Sequence, residues 1–327
     1  MKIAVYQTII GTGGGNDQVL FSLLEKLKDK DVTVFCEYHK IDLPVKIVQL
    51  LPFKLPFFGL YQNLLRIKTP KIFSKFDEIH VLTGNMIYNT TKVSMTYYNQ
   101  NNFGNIITGG KYEKGFWKMY YFPYSILLKR FKKQIKKSNV KFISNSNYAS
   151  KKLMQDFGIS STVQYPTLKD EFVNLDLKSG LITLSRFSPE KNLGFTLKVF
   201  DKLGGGKVYA NVNFANTTYY NKLSSNSRSA FHINEERKQI IFALASAKVY
   251  FHSAVETFGI SVVEAMLSGC IPIVPNNSAH LETVPFNELR YIPDSLDDAL
   301  DKVNNALAGK YDYLLPDIKT HARNFIK

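Results

Sequence analysis

The sequence predicts an α/β protein with two domains, each built on a parallel sheet with helices on its faces. At 327 residues the chain has about twice the length of a typical domain. Short apolar runs such as Lys2 to Thr8 and Leu181 to Ser185 have the length of buried strands. Segments with helical apolar spacing, such as Gln18 to Leu27, alternate with such runs, and this alternation is typical of β-α-β units.

The first strand is followed by a glycine loop, Gly11 to Gly15, that precedes the first helix. Such a loop favours phosphate binding, because the first N–H groups of a helix lack intrahelical partners. The dinucleotide fingerprint needs a glycine or alanine where this chain has Asn16, although Glu37 ends the second strand where a ribose-binding acid would lie. A nicotinamide site and a plain tight turn are both compatible with this pattern.

The positive charge of the chain is concentrated in its first half. The formal net charge is +15, of which residues 1–165 carry +14. No acidic residue occurs from Lys114 to Gln155, and within that stretch Ile126 to Lys137 has the pattern of a basic amphipathic helix. A membrane surface, a nucleic acid and a charged glycan are all possible anionic partners, and a solvated helix face is the alternative without a partner.

The two cysteines and the N-terminus indicate a protein of a reducing compartment. Cys36 and Cys270 are far apart and lie in apolar surroundings, which predicts buried thiols rather than a disulfide. The N-terminal run resembles a first strand more than a signal peptide, and no apolar run approaches the length of a membrane span. We therefore expect a cytoplasmic location.

In the second half, two glutamates lie in a strand-loop-helix-strand segment from His252 to Thr283. Glu256 is expected in a loop after a strand, and Glu264 on the buried helix Ser261 to Ser268. Gly259 allows a close turn, and the free N–H groups of the first helical turn favour an anion there. In an open α/β sheet this is also the edge where ligands bind, so a phosphate site is predicted.

A purely structural interpretation of the same residues is open. Ser261 and Glu264 have the spacing of a capping box, in which Glu264 satisfies a backbone N–H at the helix start. In that case Glu264 supports the helix and needs no ligand.

Two cations lie in the loop SRFSPEKN, which follows the first strand of the second half. Arg186 offers a planar fork and Lys191 a compact charge, a pair suited to a diphosphate leaving group whose negative charge grows as a bond breaks. Two exposed cations in a loop are common, so the pair by itself is a weak signal.

Taken together, these motifs resemble the signature of the retaining glycosyltransferases of family four, in which two glutamates are separated by seven residues. The loop with Arg186 and Lys191 and the glutamates Glu256 and Glu264 match that family in type and order. The resemblance implies the GT-B architecture, an α/β fold of two Rossmann-like domains facing a central cleft. We place the domains at residues 1–168, on the acceptor side, and 169–310, on the nucleotide-sugar side. A C-terminal helix in residues 311–327 is expected to cross back to the N-terminal domain.

The resemblance also implies a role for each site residue. Arg186 and Lys191 would hold the diphosphate, Glu256 would contact the hydroxyls of the donor sugar, and Glu264 would bind the ribose. The remaining donor-binding candidates are the N–H groups around Phe258 and Gly259, the glycine loop at Gly13 and Gly14, and His280. Related enzymes often carry a histidine two residues beyond His80, where this chain has Leu82, so we interpret His80 as structural.

The implied partners are a UDP- or GDP-sugar donor and a glycan or lipid-linked acceptor. The pattern is most similar to transferases that extend lipid-linked oligosaccharides from GDP-mannose, and the basic half would then dock peripherally on the cytosolic face of an anionic membrane. No cofactor is expected. No metal is expected either, because the only Asp-x-Asp, Asp29 to Asp31, lies after the first helix and away from the predicted cleft.

Two other functions remain as alternatives. An NAD-dependent oxidoreductase would use the N-terminal glycine loop, but it leaves Arg186, Lys191 and both glutamates unexplained. A nucleic-acid-binding protein would explain the basic half, but no nucleic-acid module is recognisable, so no nucleic-acid partner is expected.

Overall fold

The computed structural model describes residues 1–11, 15–50, 73–83, 94–99, 115–135, 140–212 and 216–326. Contacts within the chain divide it into two compact units, Met1–Thr167 and Leu168–Lys327. Each unit is built on a parallel sheet, and the predicted α/β class is confirmed.

The N-terminal unit contains one large parallel sheet. Its strands lie in the order β5-β3-β1-β6-β7-β8-β9, and a separate parallel pair is formed by β2 and β4. The strands are β1 (Lys2–Tyr6), β2 (Ile9–Ile10), β3 (Asp31–Cys36), β4 (Tyr38–His39), β5 (Lys46–Gln49), β6 (Glu78–Val81), β7 (Ser94–Asn99), β8 (Val140–Ser144) and β9 (Thr162–Val163). The described helices are α1 (Gly15–Lys26), α2 (Gly115–Ile135) and α3 (Asn147–Phe157).

Alternate side chains of β1 point to opposite faces of this sheet, and they pack into the apolar core on each face. Ile3 and Val5 point to one face and join Leu20 of α1 in an apolar cluster. Ala4 and Tyr6 point to the other face and join a cluster that includes Leu153 of α3. A strand whose residues are buried on both faces has few polar positions, which is why it is visible in the sequence as a continuous apolar run.

The C-terminal unit repeats this plan with a second parallel sheet. Its strand order is β12-β11-β10-β13-β14-β15. The strands are β10 (Leu181–Arg186), β11 (Lys207–Asn211), β12 (Ala230–Ile233), β13 (Val249–Phe251), β14 (Ile271–Pro275) and β15 (Arg290–Tyr291). The helices are α4 (Leu193–Lys202), α5 (Thr217–Ser224), α6 (Arg237–Ser246), α7 (Ile260–Leu267), α8 (His280–Thr283), α9 (Leu296–Leu307) and α10 (Leu315–Arg323).

The last helix, α10, packs on α7 within the C-terminal unit. Ile318 and Ala322 are fully buried, and the ring of Phe325 lies edge-on against Phe258, with the ring centroids 5.3 Å apart. The predicted return of this segment to the N-terminal unit stays a prediction. None of the helices in the described ranges is long and apolar enough to cross a membrane.

Lys178 joins the carboxyl ends of two helices that carry site residues. Its ammonium donates to the carbonyl of Ala245 in the last turn of α6, at 2.5 Å, and to that of Ser268 after α7, at 2.6 Å. The pKa of Lys178 is lowered by burial. The ammonium satisfies carbonyls that a helix end leaves without partners, and it complements the negative end of each helix dipole.

We predict that Lys178→Met lowers the free energy of unfolding of the protein by about 2–3 kcal/mol, because two buried carbonyls lose a charged donor. Urea denaturation measures the change. Lys202→Met, which removes an exposed lysine from the last turn of α4, is the matched control and should change stability by less than about 0.5 kcal/mol. Equal effects of the two substitutions would contradict the capping role of Lys178.

Candidate active site

The site residues of the C-terminal unit gather where two neighbouring strands end. β10 and β13 pair in parallel, with Leu181 opposite Val249, so their carboxyl ends lie at the same edge of the sheet. The loop after β10 carries Lys191 and the loop after β13 carries Glu256. Lys191 Nζ donates to Glu256 Oε1 over 2.5 Å, and each side chain is only 16% exposed. The structure therefore brings together two residues that are 65 positions apart.

A histidine is the second donor to the same carboxylate. Nε2 of His252 lies 3.2 Å from Glu256 Oε1 and donates its hydrogen to it, because a carboxylate accepts. Burial raises the pKa of Glu256, but the charge of Lys191 and the hydrogen bond from His252 outweigh burial and hold this pKa well below its usual range. Glu256 is therefore a fixed negative charge at neutral pH.

The two loops are tied to each other by their own hydrogen bonds. Asn192 has a positive φ of 49°, which ends the short turn Pro189–Lys191. The hydroxyl of Ser253 donates to the carbonyl of Asn192 over 2.9 Å and lies 2.7 Å from Oγ1 of Thr196 in α4. These contacts fix the backbone on both sides of the ion pair.

Arg186 is the last residue of β10, and its side chain pairs with Glu190. Its side chain is 63% exposed, and Nη2 lies 3.5 Å from Oε1 of Glu190. Glu190 is itself held by the hydroxyl of Ser188, at 2.7 Å. The predicted cation pair thus consists of an exposed guanidinium and a mostly buried ammonium, each with a carboxylate partner.

The start of α7 has the geometry of an anion site rather than of a capping box. Gly259 is the N-cap residue with a φ of 89°, and no side chain caps the helix there. Ser261 Oγ lies 2.9 Å from the hydroxyl of Tyr250. The capping-box interpretation of Ser261 and Glu264 is therefore wrong, and the N–H groups of the first turn point out of the helix end. The ring of Phe258 is buried, so only its backbone faces this site.

Glu264 is almost fully buried on α7 and forms an ion pair with Arg237. Arg237 Nη2 lies 2.8 Å from Glu264 Oε1 and 2.7 Å from Oε1 of Glu171. The guanidinium also lies over the ring of Phe172, 5.4 Å from its centroid. Burial lowers the pKa of Arg237, but the two carboxylates outweigh burial and raise it overall. Arg237 thus neutralises the carboxylate predicted to bind ribose.

His280 lies beneath the α7 start and has no exposed surface. Its Nε2 donates to the carbonyl of Ala254 over 3.0 Å. Gly259 has a φ of 89°, which residues with a side chain rarely adopt, and a Cβ there would lie 3.4 Å from the His280 ring. Here His280 supports the backbone of the site, and direct contact with a donor stays a prediction.

In the N-terminal unit the glycine loop is anchored from its ends. Gly13 and Gly14 lie outside the described residues. The residues before and after them are linked by hydrogen bonds. The buried Asp17, which follows, accepts from the side-chain amide of Gln7, at 2.7 Å, and from the N–H of Gly11, at 3.2 Å. Buried Glu37 accepts from the hydroxyl of Tyr6, at 3.1 Å.

His80 is buried in β6. Its Nε2 lies 3.1 Å from Glu78 Oε1, and its Nδ1 lies 3.1 Å from the hydroxyl of Tyr98 on the adjacent strand β7. These are contacts within the sheet, and they suit the structural role inferred from the sequence.

Sequence reasoning assigned no role to His252 or Arg237. A signal was available for His252, because it directly follows β13 and lies four residues before Glu256. No comparable signal existed for Arg237, whose partners Glu171 and Glu264 are distant in the sequence.

We predict that the stabilising effect of His280 depends on pH. Burial and the nearby His252 lower the pKa of His280 to about 3, whereas an unfolded histidine has a pKa of about 6.5. Between these values the unfolded chain binds a proton that the folded chain does not, so stability falls as pH falls. The difference in unfolding free energy between wild type and His280→Gln should narrow by about 2 kcal/mol from pH 7 to pH 5.

Urea denaturation at each pH measures this difference. Thr283→Val removes a hydrogen bond to Ala279 in the same short helix but no titratable group, so its effect should not depend on pH. A constant difference for His280→Gln would contradict the prediction.

Comparison with known proteins gives a match over the C-terminal unit and a likeness in fold over the whole chain. Residues 170–324 match the model of the family described as glycosyl transferases group 1. A search of curated proteins found no match.

Three solved structures illustrate the likeness in fold. Anabaena HepE in complex with UDP and glucose has a TM-score of 0.75 and 16% identity, over 100% of this chain and 96% of that one. Sucrose-phosphate synthase from Thermosynechococcus elongatus has a TM-score of 0.77 and 14% identity, over 100% and 95%. WaaG, a glycosyltransferase involved in lipopolysaccharide biosynthesis, has a TM-score of 0.72 and 12% identity, over 99% and 94%.

At such low identity these structures establish architecture, which is the GT-B fold with two Rossmann-like domains. Residues 170–324 are thus similar to the glycosyl transferases group 1 domain, and the whole chain has the GT-B fold.

Proposed function

We propose that this enzyme moves a hexose from a nucleoside diphosphate donor to a glycan or lipid-linked acceptor and retains the anomeric configuration. The observation that carries the proposal is the ionised Glu256, held by Lys191 and His252 beside the start of α7. A negative charge, two cations and a helix N-terminus at one sheet edge suit a molecule that combines sugar hydroxyls with a diphosphate.

The reaction needs positive charge at the leaving group. As the bond between the sugar carbon and the phosphate oxygen breaks, negative charge grows on the departing nucleoside diphosphate. Arg186, Lys191 and the N–H groups around Phe258 and Gly259 would stabilise that charge, and Glu256 would accept hydrogen bonds from the sugar hydroxyls. Because these groups supply the positive charge, we propose a reaction without a metal cofactor.

We favour a uridine nucleotide as the donor. HepE, which shares the fold, is described in complex with UDP-glucose and with UDP, and this supports a UDP-sugar over GDP-mannose. Glu264 would bind the ribose through its carboxylate, which Arg237 orients at 2.8 Å. Gly13, Gly14 and His280 remain proposed donor contacts on the basis of the family resemblance.

We predict release of free UDP or GDP from one member of a panel of sugar nucleotides. Glu256→Ala and Arg186→Ala should each lower the rate by about 100-fold or more, because each removes a group that acts on the charge formed during transfer. Lys198→Ala, which removes an exposed lysine of α4, is the matched control and should retain activity.

The outcome also separates the alternative functions. Binding of a nicotinamide dinucleotide without sugar-nucleotide turnover would favour the oxidoreductase. Binding of DNA or RNA that persists at physiological salt would favour the nucleic-acid-binding protein.

We propose further that the N-terminal unit docks on the cytosolic face of an anionic membrane. Four apolar side chains recur at helical spacing along α2 and are strongly exposed. They are Phe116 at 69%, Met119 at 74%, Phe122 at 64% and Ile126 at 41% exposure. Exposed lysines Lys118 and Lys129 accompany this stripe, within the half that carries +14. An apolar stripe with lysines suits the interface of an anionic bilayer. The buried thiols Cys36 and Cys270, which form no disulfide, suit the cytosol.

We predict that the protein sediments with anionic liposomes and that Phe116→Ser with Met119→Ser weakens this binding about tenfold or more, because less apolar surface enters the interface. Val173→Ser with Leu177→Ser, exposed apolar residues of the nearly uncharged C-terminal half, is the matched control and should bind like wild type. Equal sedimentation of the α2 variant and wild type would remove the membrane proposal.

A further inference from the structure

One carboxylate oxygen of Glu256 accepts two hydrogen bonds in the site. Glu256 Oε1 receives Lys191 Nζ at 2.5 Å and His252 Nε2 at 3.2 Å. In the proposed function Lys191 must also serve the diphosphate. An ammonium that turns towards phosphate oxygens weakens its bond to Glu256, so the carboxylate needs another donor at that moment.

The two donors differ in how firmly they are held. Lys191 reaches Glu256 through a flexible four-carbon stem. The imidazole of His252 has two rotatable bonds and is 2% exposed. Its ring lies edge-on against that of His280, with the centroids 5.3 Å apart.

Both polar groups of the His252 backbone form hydrogen bonds. Its N–H donates to the carbonyl of Ile273 on β14, at 3.0 Å. Its carbonyl accepts from the hydroxyl of Tyr291 on β15, at 3.0 Å. His252 is thus tied to β14, which pairs with β13, and to β15, which pairs with β14, so its backbone has little freedom to move away from Glu256.

From this contrast we infer that His252 is a positioning residue: it keeps the Glu256 carboxylate oriented towards the donor sugar while Lys191 turns to the diphosphate. The inference rests on the proposed function, since it assigns to His252 a role in that reaction. Lys191 is the mobile partner of Glu256 and His252 the stationary one.

A positioning role in the reaction predicts a specific kinetic pattern. His252→Phe keeps an aromatic ring against His280 but removes the N–H donor. It should lower kcat about tenfold or more, which is the effect of losing a hydrogen bond to a charged group. It should leave the donor KM within about twofold, because the cations that hold the diphosphate are intact.

Two further variants separate positioning from a general loss of stability. His252→Gln places an amide N–H within reach of the same carboxylate and should restore most of the lost kcat. Val303→Ala leaves a cavity in the core of the C-terminal unit, where Val303 is fully buried on α9, and touches none of the hydrogen bonds of His252. It should lower the melting temperature while keeping kcat within about twofold.

The experiment measures nucleotide release from the donor that wild type turns over, together with the melting temperature of each variant. The inference is overturned if His252→Phe raises KM without lowering kcat, if it lowers kcat no more than Val303→Ala, or if His252→Gln gives no rescue. If wild type releases nucleotide from no donor, the proposed function fails and this role fails with it. Turnover by wild type together with any of the first three results defeats the positioning role alone.

Discussion

The ion pair between Lys191 and Glu256 is the interaction on which the C-terminal site depends. It joins two loops that the chain separates by 65 residues, and the pairing of β10 with β13 makes the contact possible. Because the two strands are parallel neighbours, the sheet itself places their ends and the loops that follow at the same edge. The polar network of Asn192, Ser253 and Thr196 then sets the loops relative to each other.

The charge of Glu256 follows from a balance between burial, which raises its pKa, and its two donors, which lower it. A mostly buried carboxylate without partners would take up a proton, since burial raises its pKa. Lys191 and His252 reverse that tendency, so Glu256 remains a charged acceptor at neutral pH. The neighbouring His280 shows the opposite outcome, because burial and the nearby His252 lower its pKa more than the charge of Glu256 raises it. One small volume thus holds a permanent negative charge beside a neutral imidazole.

The fold class, both sheets and the helix Asn147–Phe157 were predictable because they rest on local signals. Ser146 caps that helix, with its side chain accepting from Ala149, and Gly158 ends it with a φ of 63°, both of which are visible as residue types. The meeting of Lys191 with Glu256 was predictable only through family resemblance, since the residues are not local. The pairing of Glu264 with Arg237 was not predictable, because it depends on how α6 packs beside α7. The capping-box hypothesis failed because the helix begins at Ile260, one residue before the predicted start at Ser261, and Gly259 is its N-cap residue.

In the C-terminal half, the charged groups of the proposed reaction are already paired with one another. The C-terminal half carries almost no net charge, because its cations are matched by carboxylates such as Glu256, Glu264 and Glu190. A donor with two phosphates must therefore compete with these internal partners, and binding becomes an exchange of ion pairs rather than the filling of an empty positive site. Such an exchange leaves each carboxylate in need of another donor. For Glu256 the structure already contains one in His252, whereas for Glu264 the partner Arg237 is itself bridged to Glu171. The site of the exchange is thus confined to Arg186, the last residue of β10, and Lys191, in the loop that follows.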